Sequence, residues 1–463
     1  MKNLFRLIPS IHDILHSDEM QKLKQEQGLP ETFLKRRVNQ VVDDIREELL
    51  KNELSFESKN EALIVIQNRV VHNIKKYLSD RIEPVINGTG TILHTNLGRA
   101  RLSEKAIHQV VQVAKHYSTL EFDRDSGERG SRHDLVEELI KELTGAEAAI
   151  VVNNNAASVY MVLTAFAKNH EVIVSRGELV EIGGSFRVSS IMEESGALLK
   201  EVGTTNKTHL FDYEKAINDQ TSLMMKVHTS NFHMVGFTDQ VTREDLVELG
   251  KDHHVMTYED LGSGMVYDLT RHGIGKEPLV MDVLKSGIDL VSFSGDKLFG
   301  GPQVGIIAGK KQYIKQLKKH QLARVLRVDK MTYAALESTL KQWLQQDLNI
   351  PTIRDLLITR EELQKRVKLF IRRYYECHHK GLTLKEIPLK SMVGGGTLPE
   401  IELDSYGVSI TSRHLSATKL KSKLRNLKPR IIARVEQEQV LLDFRTITPE
   451  EEVIILKKLV EID

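Results

Sequence analysis

The stretch SFSGDKLFGGPQVG, Ser292 to Gly305, sets one lysine, Lys297, after an aspartate and among small residues. The run just before it, GIDLVS, has the length and apolar content of a buried strand. An isolated ammonium is expensive to bury. Lys297 is therefore either paired for structural reasons or its charge is consumed by chemistry. Outward from this point, short apolar runs alternate with amphipathic helical segments. AAIVVN (148–153), EVIVS (171–175), TSLMMKVHT (221–229), HVMTYEDLG (254–262) and IDLVSFSG (288–295) are the strand candidates, and GIIAGKK follows the lysine. This alternation predicts an α/β fold with a mainly parallel sheet flanked by helices. In such sheets ligands bind beyond the carboxyl ends of the strands.

Composition sets the outer limits. The chain has 463 residues, enough for two or three domains. Lys+Arg number 65 and Asp+Glu 64, which argues against a general nucleic-acid coat or a membrane-surface protein. Cys377 is the one cysteine, so no disulfide forms within the chain, and a reducing cytoplasm is expected. No segment reaches the roughly 18 apolar residues of a membrane span.

Residues 1–80 are predicted to form a small helical domain. Phe33, Leu34, Val38, Val41, Val42, Ile45 and Leu49 recur at three- and four-residue steps, and a second such pattern starts near a candidate N-cap, Asn60. Residues 81–335 carry the strand–helix alternation. Residues 336–463 begin with a long helical stretch past Pro351 to about Glu376. They then alternate as a small α+β domain with an antiparallel sheet.

Lys297 has Ser294 three residues before it and glycines around it. That setting suits an imine to pyridoxal 5'-phosphate: the amine forms the imine, the hydroxyl reaches the phosphate, and the glycines make room. The same S-x-x-K spacing serves a serine nucleophile in penicillin-interacting enzymes, but their S-D-N and K-T-G companions are absent. Asp260, at the end of a strand 37 residues earlier, is placed to hold a pyridinium nitrogen protonated. In VVNNNAASVYM, Asn154, Asn155 and Ala156 open a helix whose N–H groups suit a phosphate. His228, Ser230 and Asn231 follow another strand and are candidates to face the cofactor ring. Arg99, Arg129, Arg132, Arg324 and Arg327 suggest an anionic second substrate. Arg324 and Arg327, three residues apart, are expected on one helix face.

These motifs, with LIPSIHDIL, INGTGTILHTNLGRA, LEFDRDSGERGSRH, SRGELVEIGGSFR, EVGTTNKT, KVHTSNF, EDLGSG and GGGTLPE, resemble the bacterial selenocysteine synthase family over nearly the whole chain. The resemblance implies the aspartate-aminotransferase-like fold (fold type I). It implies conversion of L-seryl-tRNA(Sec) to L-selenocysteinyl-tRNA(Sec) through a cofactor aldimine and a dehydroalanyl-tRNA. Lys297 would carry the cofactor and move the Cα proton, with Asp296 assisting. Arg99, Arg324 and Arg327 would bind selenophosphate. Residues 1–80 would grip the tRNA, and the chain would assemble as a cytoplasmic ring-shaped homodecamer with active sites at dimer interfaces, without membrane or DNA partners. Two rival readings share the core: a pyridoxal-phosphate lyase acting on a small phosphorylated substrate, and a catalytically silent RNA-binding scaffold. The N-terminal helices speak against the first, and the retained Lys297, Asp260, Ser294 and arginines against the second.

Overall fold

The computed structural model describes residues 5–179, 181–182, 186–232, 234–377 and 381–462. Two compact units divide at Pro84 and Val85. Among the described residues no helix is long and apolar enough to cross a membrane.

The first unit is helical. Its long helices, Glu31–Leu50 and Lys59–Leu78, each turn one apolar stripe inward. Leu34, Val38, Ile45 and Leu49 of one meet Ile66, Val70 and Ile74 of the other in a single core. Burial of each such side chain contributes roughly 1.5–3 kcal/mol. Arg69 donates to Glu48 at 2.7 Å and ties the two helices together. The second long helix is capped by Ser58, whose Oγ accepts the Glu61 N–H at 3.2 Å, and not by Asn60, which lies inside the first turn.

The second unit holds two large sheets. Its strands in chain order are β1 (Val85–Gly88), β2 (Thr91–Leu93), β3 (Ala148–Val152), β4 (Glu171–Ser175), β5 (Glu181–Ile182), β6 (Phe186–Arg187), β7 (Leu198–Val202) and β8 (Thr221–Val227). Then come β9 (Met256–Gly262), β10 (Leu290–Ser294), β11 (Gly305–Gly309), β12 (Leu382–Gly394), β13 (Thr397–Ser412), β14 (Arg430–Glu436) and β15 (Gln439–Asp443). Among the described residues, strands β5 and β6 pair only with each other.

The larger sheet has the order β3-β11-β10-β9-β8-β4-β7. Its pairs are parallel except those of β11, which runs antiparallel to β10 and β3. Every residue of β3, β10 and β11 is buried, as expected of strands covered on both faces. Alternate side chains divide between two cores: Val291, Phe293 and Ile306 pack on one face, Leu290, Tyr258 and Ile307 on the other.

The smaller sheet has the order β1-β14-β15-β13-β12-β2. Strands β12 to β15 form the expected antiparallel body. Its two edges come from the other end of the unit: β1 pairs parallel with β14 and β2 parallel with β12. The long helical stretch is three helices, Lys330–Leu344, Pro351–Leu357 and Arg360–Glu376. Pro351 forces an extended Ile350 before it and takes the first helical position itself. A capping box between Thr359 and Glu362 starts the third.

Candidate active site

Four chain segments meet at and beyond the carboxyl ends of β3, β8, β9 and β10. Asp260 lies opposite Ser292 of β10 and Val227 of β8 in the strand register. The His228 N–H, the first beyond β8, donates to the Asp260 carbonyl at 2.8 Å. Lys297 follows β10 in a turn closed by the Gly300 N–H on the Lys297 carbonyl, 2.9 Å. Beyond β3, Asn154 caps the helix Asn155–Phe166, its Oδ1 accepting the Ala157 N–H at 2.8 Å. The N–H groups of Asn155 and Ala156 have no carbonyl inside the helix to donate to. Gly305 of β11 passes so close to the Asn154 carbonyl and Ser158 Oγ that a Cβ there would collide with both.

Asp260 is buried and accepts from Asn155 Nδ2 at 2.7 Å and from the Gly262 N–H at 3.1 Å. Burial pushes its carboxyl above the ordinary range; Asn155, Lys297, the Gly262 N–H and His228 oppose that. The Lys297 amine is also buried, and burial pushes it below the ordinary lysine value. The neighbouring Asp260 works against that shift, and the Arg99 charge adds to it. The net direction favours a neutral, nucleophilic amine. Gly262 has φ +67°, and a Cβ built on it would lie 3.4 Å from Ser230 Oγ and 3.7 Å from Lys297 Nζ. A glycine at that point keeps the space beside the amine open.

Asp296 is held from two sides. Arg99 Nη1 donates to its Oδ2 at 3.0 Å, and Ser294 Oγ donates to its Oδ1 at 3.1 Å. The Ser294 hydroxyl, expected to reach a phosphate, is thus turned onto Asp296. Arg99 sits on left-handed backbone, φ +62°, just after Gly98 at φ +95°. Asn231 turns its amide to the Glu181 carbonyl at 3.1 Å. His228 Nε2 stands 3.2 Å from Glu277 Oε1, out of line for a hydrogen bond. Glu277 is buried, accepts from Ser263 Oγ, and adds a negative charge near Lys297. Sequence reasoning missed it, since a single acid in GIGKEPLVM carries no local signal.

The arginines do not all converge within one chain. Arg99 lines a small cavity with Arg101, His94 and Glu451. Arg324 and Arg327 line another of about 320 Å³, with Arg129, Arg132, Lys318 and Lys319, against the carboxylate of Glu121. The expected shared helix face is not the reason they meet. That helix is only Leu322–Val325, and Arg327 lies in the turn beyond it.

The Lys297 set fits pyridoxal phosphate. It offers a buried amine driven toward its neutral form, a buried carboxylate for a ring nitrogen, and open helix-start N–H groups for a phosphate. The Asn155 Oδ1 is moreover buried without a hydrogen-bond partner. Comparison with known proteins narrows the identity. The family profile described as L-seryl-tRNA selenium transferase matches residues 85–448. An L-seryl-tRNA(Sec) selenium transferase of Clostridium botulinum (strain 657 / Type Ba4) is 45% identical over 450 residues, 96% of each chain. One from Alkaliphilus oremlandii is 43% identical over 473 residues, 99% of this chain and 98% of that one. Among solved structures, a D-glucosaminate-6-phosphate ammonia-lyase superposes with TM-score 0.56 at 23% identity, covering 84% of this chain and 98% of that one. That likeness establishes the fold, and the sequence matches establish the lineage: the chain belongs to the L-seryl-tRNA selenium transferase family.

Proposed function

We propose that this chain converts L-seryl-tRNA(Sec) to L-selenocysteinyl-tRNA(Sec), with pyridoxal phosphate held at Lys297 and selenophosphate as donor. The observation that carries the reading is the buried Lys297 amine, driven toward its neutral form beside the buried Asp260 in a chain of this family. When bound, the cofactor supplies an electron sink for breaking the Cα–H bond of the seryl group. Asp260 is suited to keep a ring nitrogen charged, and the Asn155 and Ala156 N–H groups to bind the phosphate. Lys297 Nζ would take the Cα proton. Arg99 and Ser294 hold Asp296 beside Lys297, which fixes a negative charge near Nζ for the proton's return. Overall, the Cβ–O bond would break with the hydroxyl leaving as water, a Cβ–Se bond would form in its place, and the donor's Se–P bond would be cleaved by water with inorganic phosphate as the product.

Arg324 and Arg327 are the groups for the donor's phosphate, since guanidinium matches its charge and geometry. Within one chain they line a different cavity from Arg99. This supports an assembly in which a neighbouring copy completes the site, as in the ring-shaped homodecamer implied by the family resemblance. The helical first unit is the part assigned to the tRNA, and the protein is assigned to the cytoplasm.

The test is direct. Purified protein with cofactor, seryl-tRNA(Sec) and selenophosphate should yield selenocysteinyl-tRNA. Turnover of free amino acids or sugar-acid phosphates alone would overturn the proposal. Light scattering should give a mass near ten chains, and a monomer would remove the shared site.

A further inference from the structure

Among its lining residues the cation-lined cavity contains one acid, Glu121, and the proposed reaction leaves it without a task. It sits on a turned loop whose Phe122 and Arg129 form an antiparallel bridge, with the Gly130 N–H on the Glu121 carbonyl at 3.1 Å. Arg132 grips Glu121 Oε1 side-on through Nε at 2.8 Å and Nη2 at 2.6 Å. Arg129 Nη2 donates to Oε2 at 3.1 Å, and Arg327 Nη1 stands 3.5 Å from Oε1. The remaining donor end of Arg132 reaches across to the Val328 carbonyl at 2.8 Å. One carboxylate therefore gathers three arginines from two separate chain segments. Lys318 is occupied by Glu137 at 2.6 Å and Asp134 at 3.4 Å. Arg324 and Lys319 are exposed and have no carboxylate at ion-pair distance among the described residues.

From this geometry we propose that Glu121 is a positioning residue and built-in counter-ion of the oxyanion cavity. It aims Arg132 and Arg327, and it keeps the positive potential low enough for the phosphate left after selenium transfer to depart. The inference rests on the reading that this cavity takes the phosphate of the donor. Without Glu121, three guanidinium groups would face one another uncompensated and spread apart. The cavity would also be more positive and would hold any phosphate longer. With the side chain's shape kept, the sign of the change in affinity separates a counter-ion from a packing residue, because loss of packing weakens binding and loss of a negative charge strengthens it.

The experiment is titration calorimetry of inorganic phosphate into the full-length cofactor-loaded protein, with turnover measured in parallel. Glu121→Gln keeps the shape and removes the charge. It should bind phosphate about three- to tenfold more tightly, from one fewer repulsive charge at partly screened distance. Its kcat should fall, and phosphate should inhibit at lower concentration. Glu121→Asp keeps the charge and should keep the wild-type phosphate affinity. Arg324→Ala should bind phosphate more weakly than wild type. If Glu121→Gln binds phosphate unchanged or more weakly while Arg324→Ala loses it, the role of Glu121 is overturned and the anion cavity stands. If wild type does not bind phosphate, or Arg324→Ala binds it equally well, the anion reading fails and Glu121 falls with it.

Discussion

Lys297 stands at the carboxyl ends of fully buried strands, whereas Arg324 and Arg327 stand on a four-residue helix and the turn behind it. The two regions solve different problems. At Lys297 the protein removes water, and burial drives the amine toward its neutral form, while Asn155, Lys297 and the Gly262 N–H offset the upward push of burial on the Asp260 carboxyl. At Arg324 it leaves the side chains in water and relies on the number of positive charges. Covalent chemistry needs the first environment, since a hydrated ammonium is a poor nucleophile. The proposed capture and release of a small, highly charged anion would need the second, since a desolvated arginine cluster would bind too tightly or not form at all. Breaking one region should therefore leave a recognisable part of the other's function intact.

The largest effect is expected from Lys297→Ala. Turnover should fall by about 10³-fold or more, together with the absorption band of the bound cofactor. Phosphate binding by calorimetry should persist; its loss would show that the two regions are one site energetically. The lowered value of the Lys297 amine adds a pH signature. Cofactor capture needs the neutral amine, so its rate should fall as pH drops through a midpoint below the ordinary 10.5 of lysine. A midpoint at or above that value would remove the case for a desolvated amine. Asp260→Asn comes next, with turnover down by about 10²- to 10³-fold, the scale of losing one aimed electrostatic group. The cofactor should still bind, with a shifted band.

The sequence was legible where position follows local order. Lys297, Asp260, Asn154 and Asn155 all sit at strand ends, and a strand followed by a turn can be read from a short window. Asn155 shows the limit of such reading: its tie to Asp260 crosses 105 residues, and only the fold brings it about. Glu277 was silent for the same reason, because His228 and Lys297 lie in other segments, and Glu121 meets Arg327 only through the fold although Arg129 and Arg132 share its loop. Asn60 is a good capping residue by type, but the cap is Ser58, and only backbone geometry decides between two such residues so close together. The smaller sheet was read from the tail alone. Pairing Val85 with Arg430 joins strands from opposite ends of the unit, which no periodicity records.

Removing Arg324 or Arg327 should have an intermediate effect. A charge-assisted hydrogen bond contributes about 1.5–3 kcal/mol, so each alanine variant should raise the donor KM by about ten- to a hundredfold. The cofactor band should not move. A lost band would mean that these arginines support the Lys297 pocket directly.

The smallest expected effect comes from salt, and it probes the contrast without changing a residue. Screening acts on charges in water and much less on buried ones. The screening length falls from about 10 Å at 0.1 M ionic strength to about 3 Å at 1 M. Arg324, Arg327 and Lys319 are exposed, so raising salt over that range should raise the donor KM several-fold. Lys297 and Asp260 are buried, so the cofactor band of loaded protein should change by less than about a tenth under the same screening. Glu121→Gln should steepen the salt dependence of phosphate binding, because the cavity then presents one more uncompensated positive charge. Equal salt sensitivity of donor KM and cofactor band would mean that the two environments differ less than their burial implies.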